Sequence, residues 1–305
     1  MNSLVLSSAK EEYKSFIGKR YVPLFFRDYY LDLVCDGEWD VVLALEEDEI
    51  VAAYIYMLKQ KLGLKYIVQP QLCPYTGPLF FRGNDMKDIF SRMVDALPGH
   101  HLCIQDYFYE LPDLSGLKSI DYKKHTYTID SSTDIDQLWG LQSSTHRRII
   151  RKAERELTYE VEEDMEVFLS FVNRTFDNRK KHNPNDPDIF RKVDARLVQN
   201  GQRKIVKCLN GRNEIVAMCY LMLDEQWTYN FANSVIEDYK HYGMNLILWN
   251  EIKASLEAGR SFDFEGSMIP GVDNFFQRYK GKKTSYATRH YSKNSMIDLL
   301  VKLKS

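Results

Sequence analysis

Apolar positions along this chain recur at two periods, alternating in short runs and returning at helical spacing in longer ones. Residues 23–35 carry Phe26, Tyr29, Tyr30, Leu31, Leu33 and Val34, which predicts a helix with a large aromatic face. Residues 39–45 and 50–57 predict two strands of a hairpin, turned at Glu46-Glu47-Asp48-Glu49. A third strand is expected over 65–68, and Pro70, Pro74 and Gly77-Pro78 break the next stretch into a loop. Residues 84–97 predict a helix with Asn84 as N-cap and Ile89, Met93 and Leu97 on one face. Further strands are expected at 102–105 and 122–129.

The second half repeats this outline without a residue-level repeat. Residues 133–157 predict two helical pieces joined near Ser143-Ser144. Helices over 165–179 and 188–199 flank a break at residues 183–187. A hairpin over 203–208 and 214–222 surrounds Asn210-Gly211-Arg212-Asn213, and 226–233 is the next strand. A helix over 241–258 places Leu248, Ile252 and Leu256 on one face and is closed by Gly259. Residues 261–265 then read as a strand with Phe262 and Phe264 on one face and Asp263 and Glu265 on the other. Gly266-Ser267 ends it, Pro270-Gly271 turns, and Val272, Phe275, Phe276 and Tyr279 return at helical spacing. A strand over 286–291 and a short C-terminal helix complete the chain. The order hairpin, strand, helix, strand occurs at 36–129 and again at 203–291. It predicts an α/β protein with mixed sheets in two halves, 1–130 and 131–305.

Composition narrows the function classes. The 305 residues suffice for two domains, 44% are hydrophobic as in a packed protein, and the net charge is −2. Nothing global draws such a chain to nucleic acid or anionic membrane. Locally the balance shifts: Arg147, Arg148, Arg151, Lys152 and Arg155 face Glu154 alone, and Arg278, Lys280, Lys282, Lys283 and Arg289 occupy a stretch without acids. Two basic clusters on a near-neutral chain fit a compact anionic ligand, and equally two solvated helix faces. Five cysteines without a C-x-x-C pair fit buried thiols in a reducing compartment. The histidines show no ligand spacing, so no metal is expected. The absence of a leader pattern and of a long apolar run leads to the expectation of a soluble, cytoplasmic protein without a membrane span. Oligomeric state is not readable.

The run Asp263-Phe264-Glu265-Gly266-Ser267, followed by Gly271-Val272, Phe275-Phe276 and Tyr279-Lys280-Gly281, resembles the C-terminal signature of FemAB-like proteins in the GNAT superfamily of N-acyltransferases. The basic segment Arg147-Arg148-Ile149-Ile150-Arg151-Lys152-Ala153 resembles the joint between their two halves, and the aromatic loop after Tyr66 is also similar. The resemblance implies two tandem acyl-CoA N-acyltransferase (GNAT)-like domains and transfer of an acyl group from an acyl-CoA-like donor to an amine or peptide acceptor by direct attack. An aminoacyl-tRNA-dependent, bacterial-type peptidyltransferase acting on a cell-wall precursor is the alternative donor reading; the long coiled-coil hairpin some Fem proteins carry for tRNA is missing here. A catalytically silent GNAT-fold binding protein is the other alternative.

GNAT enzymes hold the donor pyrophosphate at a helix start, in a run Arg/Gln-x-x-Gly-x-Gly/Ala. Here Lys240-His241-Tyr242-Gly243-Met244-Asn245 corresponds to it. Asn245 replaces the second glycine and is expected to crowd a phosphate, while Gly243 serves equally as a simple helix opener. Lys240, Gly243, Met244, Asn245 and Asn233 are the candidate donor-binding residues. Glu265, with Asp263, is the candidate for positioning or deprotonating the amine, and Tyr229 (with Tyr220) for protonating the leaving group. Ser267, Arg148, Lys152, Lys280, Lys282 and Arg289 are candidates for holding a carboxylate or phosphate.

Overall fold

The computed structural model describes residues 5–7, 9–82, 85–178, 186–240, 242–266 and 268–293. They fall into two units, Met1–Lys124 with Ser285–Ser305, and His125–Thr284. The first unit begins with β1 (Val5–Ser7), α1 (Lys10–Ile17) and α2 (Asp28–Val34). The helix expected over 23–35 is broken: Leu24–Phe26 form one 3-10 turn, and Arg27 is extended before α2 starts. The Phe26 carbonyl, turned out of any helical ladder, accepts the Tyr13 hydroxyl at 2.8 Å. The aromatic face is nonetheless buried, through Phe25, Phe26 and Tyr30.

β2 (Trp39–Glu46) and β3 (Glu49–Lys61) form the expected hairpin. Its two turn residues, Glu47 and Asp48, both have positive φ, the left-handed pair that suits the twist of a tight hairpin. β4 (Leu64–Val68) returns along β3. The proline-rich stretch expected as loop contributes a further strand, β5 (Gly77–Phe80), which pairs with β3. Pro78 fits there because the described ladder of β5 has a partner on one side only. α3 (Met86–Ala96) is capped by the Asp85 side chain, which accepts from Asp88 N at 3.0 Å; Asn84, the expected cap, lies outside the described residues. β6 (Leu102–Asp106) runs parallel to β4. Tyr54, Phe90, Met93, Cys103 and Tyr107 lie in one core, and the Tyr54 hydroxyl meets Gln105 Oε1 at 2.7 Å and the Tyr107 hydroxyl at 2.6 Å.

The chain enters the second unit within β7 (Ile120–Ile129). The two expected helical pieces are α4 (Ile135–Leu141) and α5 (Ser144–Glu156), with Ser143 as the cap of α5. An edge strand, β8 (Thr158–Glu162), was not expected; its pattern is mostly polar. The remaining elements of this unit are α6 (Met165–Asn178), α7 (Pro187–Gln199), β9 (Arg203–Leu209), β10 (Ile215–Leu223), β11 (Trp227–Val235), α8 (Gly243–Glu257), β12 (Ser261–Asp263) and α9 (Pro270–Phe276). The strand order is β7-β12-β11-β10-β9-β8, with β11 and β12 parallel. α8 is buried almost all round and packs against α5 and the β9–β12 part of the sheet. Its one buried acid, Glu251, accepts Lys204 Nζ at 2.7 and 2.9 Å and the Tyr159 hydroxyl.

β13 (Lys282–Ser292) carries the chain back to the first unit, where it pairs antiparallel with β6 from Thr288↔Asp106 to Ser292↔Leu102. The described residues from 285 to 293 therefore group with the first unit, and the second unit ends at Thr284. A division into 1–130 and 131–305 does not describe these units, because strand pairing decides membership and not position along the chain. The expected C-terminal helix lies outside the described residues. All five cysteines are buried and free. Among the described residues no helix is long and apolar enough to cross a membrane.

Candidate active site

β11 and β12 pair over three residues, Trp227↔Ser261, Thr228↔Phe262 and Tyr229↔Asp263. Beyond that register β11 continues to Val235 while β12 stops, so the strands part at Asn230 and Phe264. Asn230 Nδ2 donates to the Phe264 carbonyl across the opening, at 3.4 Å. Parting parallel strands leave main-chain donors and acceptors without ladder partners, which is where a ligand can bind in a sheet.

Glu265 stands at the lip of this opening. Its φ is +59° and that of Gly266 is +57°, two successive left-handed residues that turn the chain sharply out of β12. A Cβ on Gly266 would lie 2.4 Å from the His125 carbonyl oxygen, so only glycine fits there. Glu265 has no such freedom, and its conformation stores strain of a kind that clusters at functional sites. Oε1 of Glu265 is sealed from solvent and has no hydrogen-bond partner. Burial, and secondarily the nearby Asp263 carboxylate, push the Glu265 pKa well above the ordinary carboxylate range.

Asp263 does not share an exposed face with Glu265. It is 0% exposed, as deeply buried as Phe262. Its Oδ1 accepts the Thr126 hydroxyl at 2.6 Å and the Glu265 main-chain N–H at 2.8 Å. The alternating two-faced strand ends too early for the expected pattern, and Asp263 holds the turn that presents Glu265. Tyr229, expected as a proton donor, is fully buried and its hydroxyl is engaged instead in donating to Asp224 Oδ2 at 3.0 Å. Tyr220 likewise donates to Asp194 at 2.8 Å. Asn233 is exposed on β11, with Nδ2 3.4 Å from Asn230 Oδ1.

The next loop ends at α8, whose start carries no side-chain cap. Gly243 is explained by packing: a Cβ would stand 3.1 Å from Ala217 Cβ and 3.3 Å from Val235 Cγ2. Met244 puts its side chain into the core and leaves only its main chain at the start of α8. Asn245 overturns the expected crowding. Its side chain points inward, where Oδ1 accepts His146 Nε2 at 2.7 Å and the Tyr279 hydroxyl at 3.2 Å. Lys240 is exposed and paired with Glu237. Lys152 of α5 lies 5.0 Å from the Tyr242 ring, directly before α8, which adds a cation to the positive end of the helix dipole.

Of the other expected cations, Arg148, Lys280 and Lys282 lie in the second unit, all three exposed. Arg147 is structural: Nη1 donates to the carbonyls of Trp139, Gly140 and Gln142, closing α4. Arg289 belongs to the first unit and joins a different set of side chains. Ser267 lies outside the described residues. Sequence reasoning passed over Asn230, His146 and the pair His125–Asp273, whose Nε2–H donates to Oδ1 at 2.6 Å beside the Gly266 turn. No spacing rule joins His125 to Asp273; only the pairing of β7 with β12 does.

Residues 142–280, all within the second unit, match the family model of the acetyltransferase (GNAT) domain. The chain has a GNAT-superfamily fold. FemX superposes with a TM-score of 0.67 at 11% identity, over 97% of this chain and 99% of that one. The C-terminal domain of a protein assigned as a lysylphosphatidylglycerol synthetase, from Agrobacterium fabrum, gives 0.61 at 15% identity, over 95% and 94%. A tandem GNAT protein from the clavulanic acid biosynthesis pathway gives 0.51 at 7% identity, over 94% and 98%. No curated protein matches the chain in sequence. The family match and these superpositions agree on a GNAT-type fold. Among the described residues no group of three histidine, cysteine or acidic side chains is placed to hold a metal.

Proposed function

We propose that this protein transfers an acyl group from an acyl-CoA-like donor to an amine acceptor at the opening between β11 and β12. The observation that carries the reading is the Glu265 carboxyl group: strained in backbone, with one oxygen unsatisfied and a raised pKa, inside the segment that matches the GNAT domain. A carboxylate of raised pKa is a better proton acceptor near neutrality than an ordinary one. The neutral amine attacks the acyl carbonyl carbon, the C–N bond forms as the C–S bond to the thiol carrier breaks, Glu265 takes the proton released by nitrogen, and the thiolate is protonated from solvent. The inward Asn245 side chain leaves the start of α8 clear of its bulk, and Lys152 supplies a cation beside it.

The test is thiol release from acetyl-CoA with a panel of amines. Glu265→Gln keeps shape and removes the base, so kcat is expected to fall at least about 100-fold, the usual size of a general-base contribution, with CoA affinity retained. Undiminished kcat removes Glu265 from the chemistry.

A second donor class, aminoacyl-tRNA with a peptide or cell-wall-type acceptor, is supported by Arg148, Lys280 and Lys282, solvent-accessible cations in the same unit. It requires binding of charged tRNA that falls steeply with salt through counterion release. CoA binding has to fall only mildly. A protein that binds neither and transfers nothing is the silent alternative.

A further inference from the structure

The first unit holds a pocket of about 750 Å³ that the acyl-transfer reaction does not use. It lies where β4 and β6 enter the sheet and where β13 leaves it, between the last turn of α3 and the segment before β7. This volume lies in the usual range for small-molecule sites. Its lining is cationic: Arg289, Lys65, Lys118 and Lys293 face a single carboxylate, Asp95.

Arg289 is only 5% exposed, and among the described residues it forms no ion pair within 4.0 Å. A guanidinium taken out of water with no anion beside it is costly, and its planar fork matches phosphate or carboxylate. Its neighbours do not neutralise it. The guanidinium lies 5.5 Å from the Tyr291 ring. His100 is another contact, with Nε2 3.5 Å from Nη1. His100 Nδ1 lies 2.8 Å from the Pro98 carbonyl and so carries the ring proton, which leaves Nε2 as a neutral acceptor. His101 is arranged the other way: Nδ1 accepts Lys65 N–H at 3.1 Å, so Nε2–H is a donor at the pocket wall. Lys65, Lys118 and Lys293 likewise form no ion pair among the described residues. Phe90, Val94, Leu97 and Leu117 give the same pocket an apolar side.

We infer that this pocket binds a small, soluble phosphate monoester, its phosphate on Arg289 and the surrounding lysines and its organic part against the Phe90 side. The site is made from residues of the first unit alone, none of which takes part in the proposed transfer reaction, so it is a ligand site separate from that reaction.

Isothermal titration of the full chain with phenyl phosphate and with inorganic phosphate tests it. Phenyl phosphate is expected to bind at least threefold more tightly than inorganic phosphate. Lys65→Ala with Lys118→Ala, both at solvent-accessible positions, is expected to weaken phenyl phosphate at least tenfold, and Arg289→Lys to weaken it with charge retained. Lys152→Ala in the other unit leaves the affinity unchanged. Absence of binding at millimolar concentration, or equal affinity in the double variant, overturns the inference. Loss on Lys152→Ala instead would place the anion at α8 and overturn it too. Capture on phosphatidic acid vesicles, abolished by the double variant, would overturn the soluble-ester assignment.

Discussion

Asn245 stands where the resemblance leads one to expect glycine, and its carbonyl oxygen is the shared acceptor for His146 and Tyr279. Asn245→Ala is expected to lose about 1–3 kcal/mol, the usual size of the penalty for leaving a buried donor unsatisfied, read by urea unfolding. Burial lowers the pKa of His146, so its charged form is disfavoured in the fold. By linkage this contribution is complete above the unfolded value near 6.5 and is lost as pH falls toward the folded value. The His146 contribution should decline below about pH 6.5, so the difference in stability between the parent and His146→Gln should shift across that range. Glu265 works in the opposite sense. Its raised pKa favours the fold at acid pH and opposes it once the carboxyl ionises. Glu265→Gln is therefore expected to raise Tm at pH 7 while abolishing turnover, a trade of activity for stability. In the parent, kcat should climb with pH through a pKa above the ordinary carboxylate range.

Among the elements, α5 separates two kinds of arginine that the sequence ran together. Arg147 closes the end of α4 on three carbonyls, whereas Arg148 and Lys152 remain accessible to solvent. Arg147→Ala should destabilise by about 1–3 kcal/mol, the range for hydrogen bonds from charged groups. Arg148→Ala with Lys152→Ala should leave Tm within a degree or so and weaken CoA binding more at low salt than at high salt. The long elements were legible because their period is strong: the 39–57 hairpin, α5, α6, α7 and α8 all stand close to their expected places. What was not legible depends on partners distant in the chain. β5 reads as a loop because Pro78 and Gly77 interrupt it, yet β3 recruits it. The acids at 263 and 265 read as one face because the alternation implies a continuing strand, whereas a left-handed pair at Glu265 and Gly266 turns the chain there, with Gly266 pressed against the His125 carbonyl. For the same reason Gly243→Trp is no clean probe of an anion site; it would collide with Ala217 and Val235 and disrupt the sheet packing.

At the scale of the whole molecule, unit membership is set by β13, which adds its Thr288–Ser292 register to β6. Residues 125–284 are contiguous and hold their own core. Expressed alone they are expected to fold, with a cooperative melt and dispersed amide resonances, while 1–124 alone should remain partly unfolded. Loss of structure in the isolated 125–284 fragment would show that the unit depends on the rest of the chain. The same strand sets an order in time. Ribosomes release β6 long before they make β13; between residues 106 and 282, at ~5–20 residues per second, the delay is on the order of ten seconds or more. Throughout that interval the side of β6 that β13 will occupy is a bare strand edge, able to pair with a neighbouring nascent chain. Synthesis of this protein thus carries a built-in window of aggregation risk, which a slow stretch of message before β13 would widen and a holding chaperone would cover.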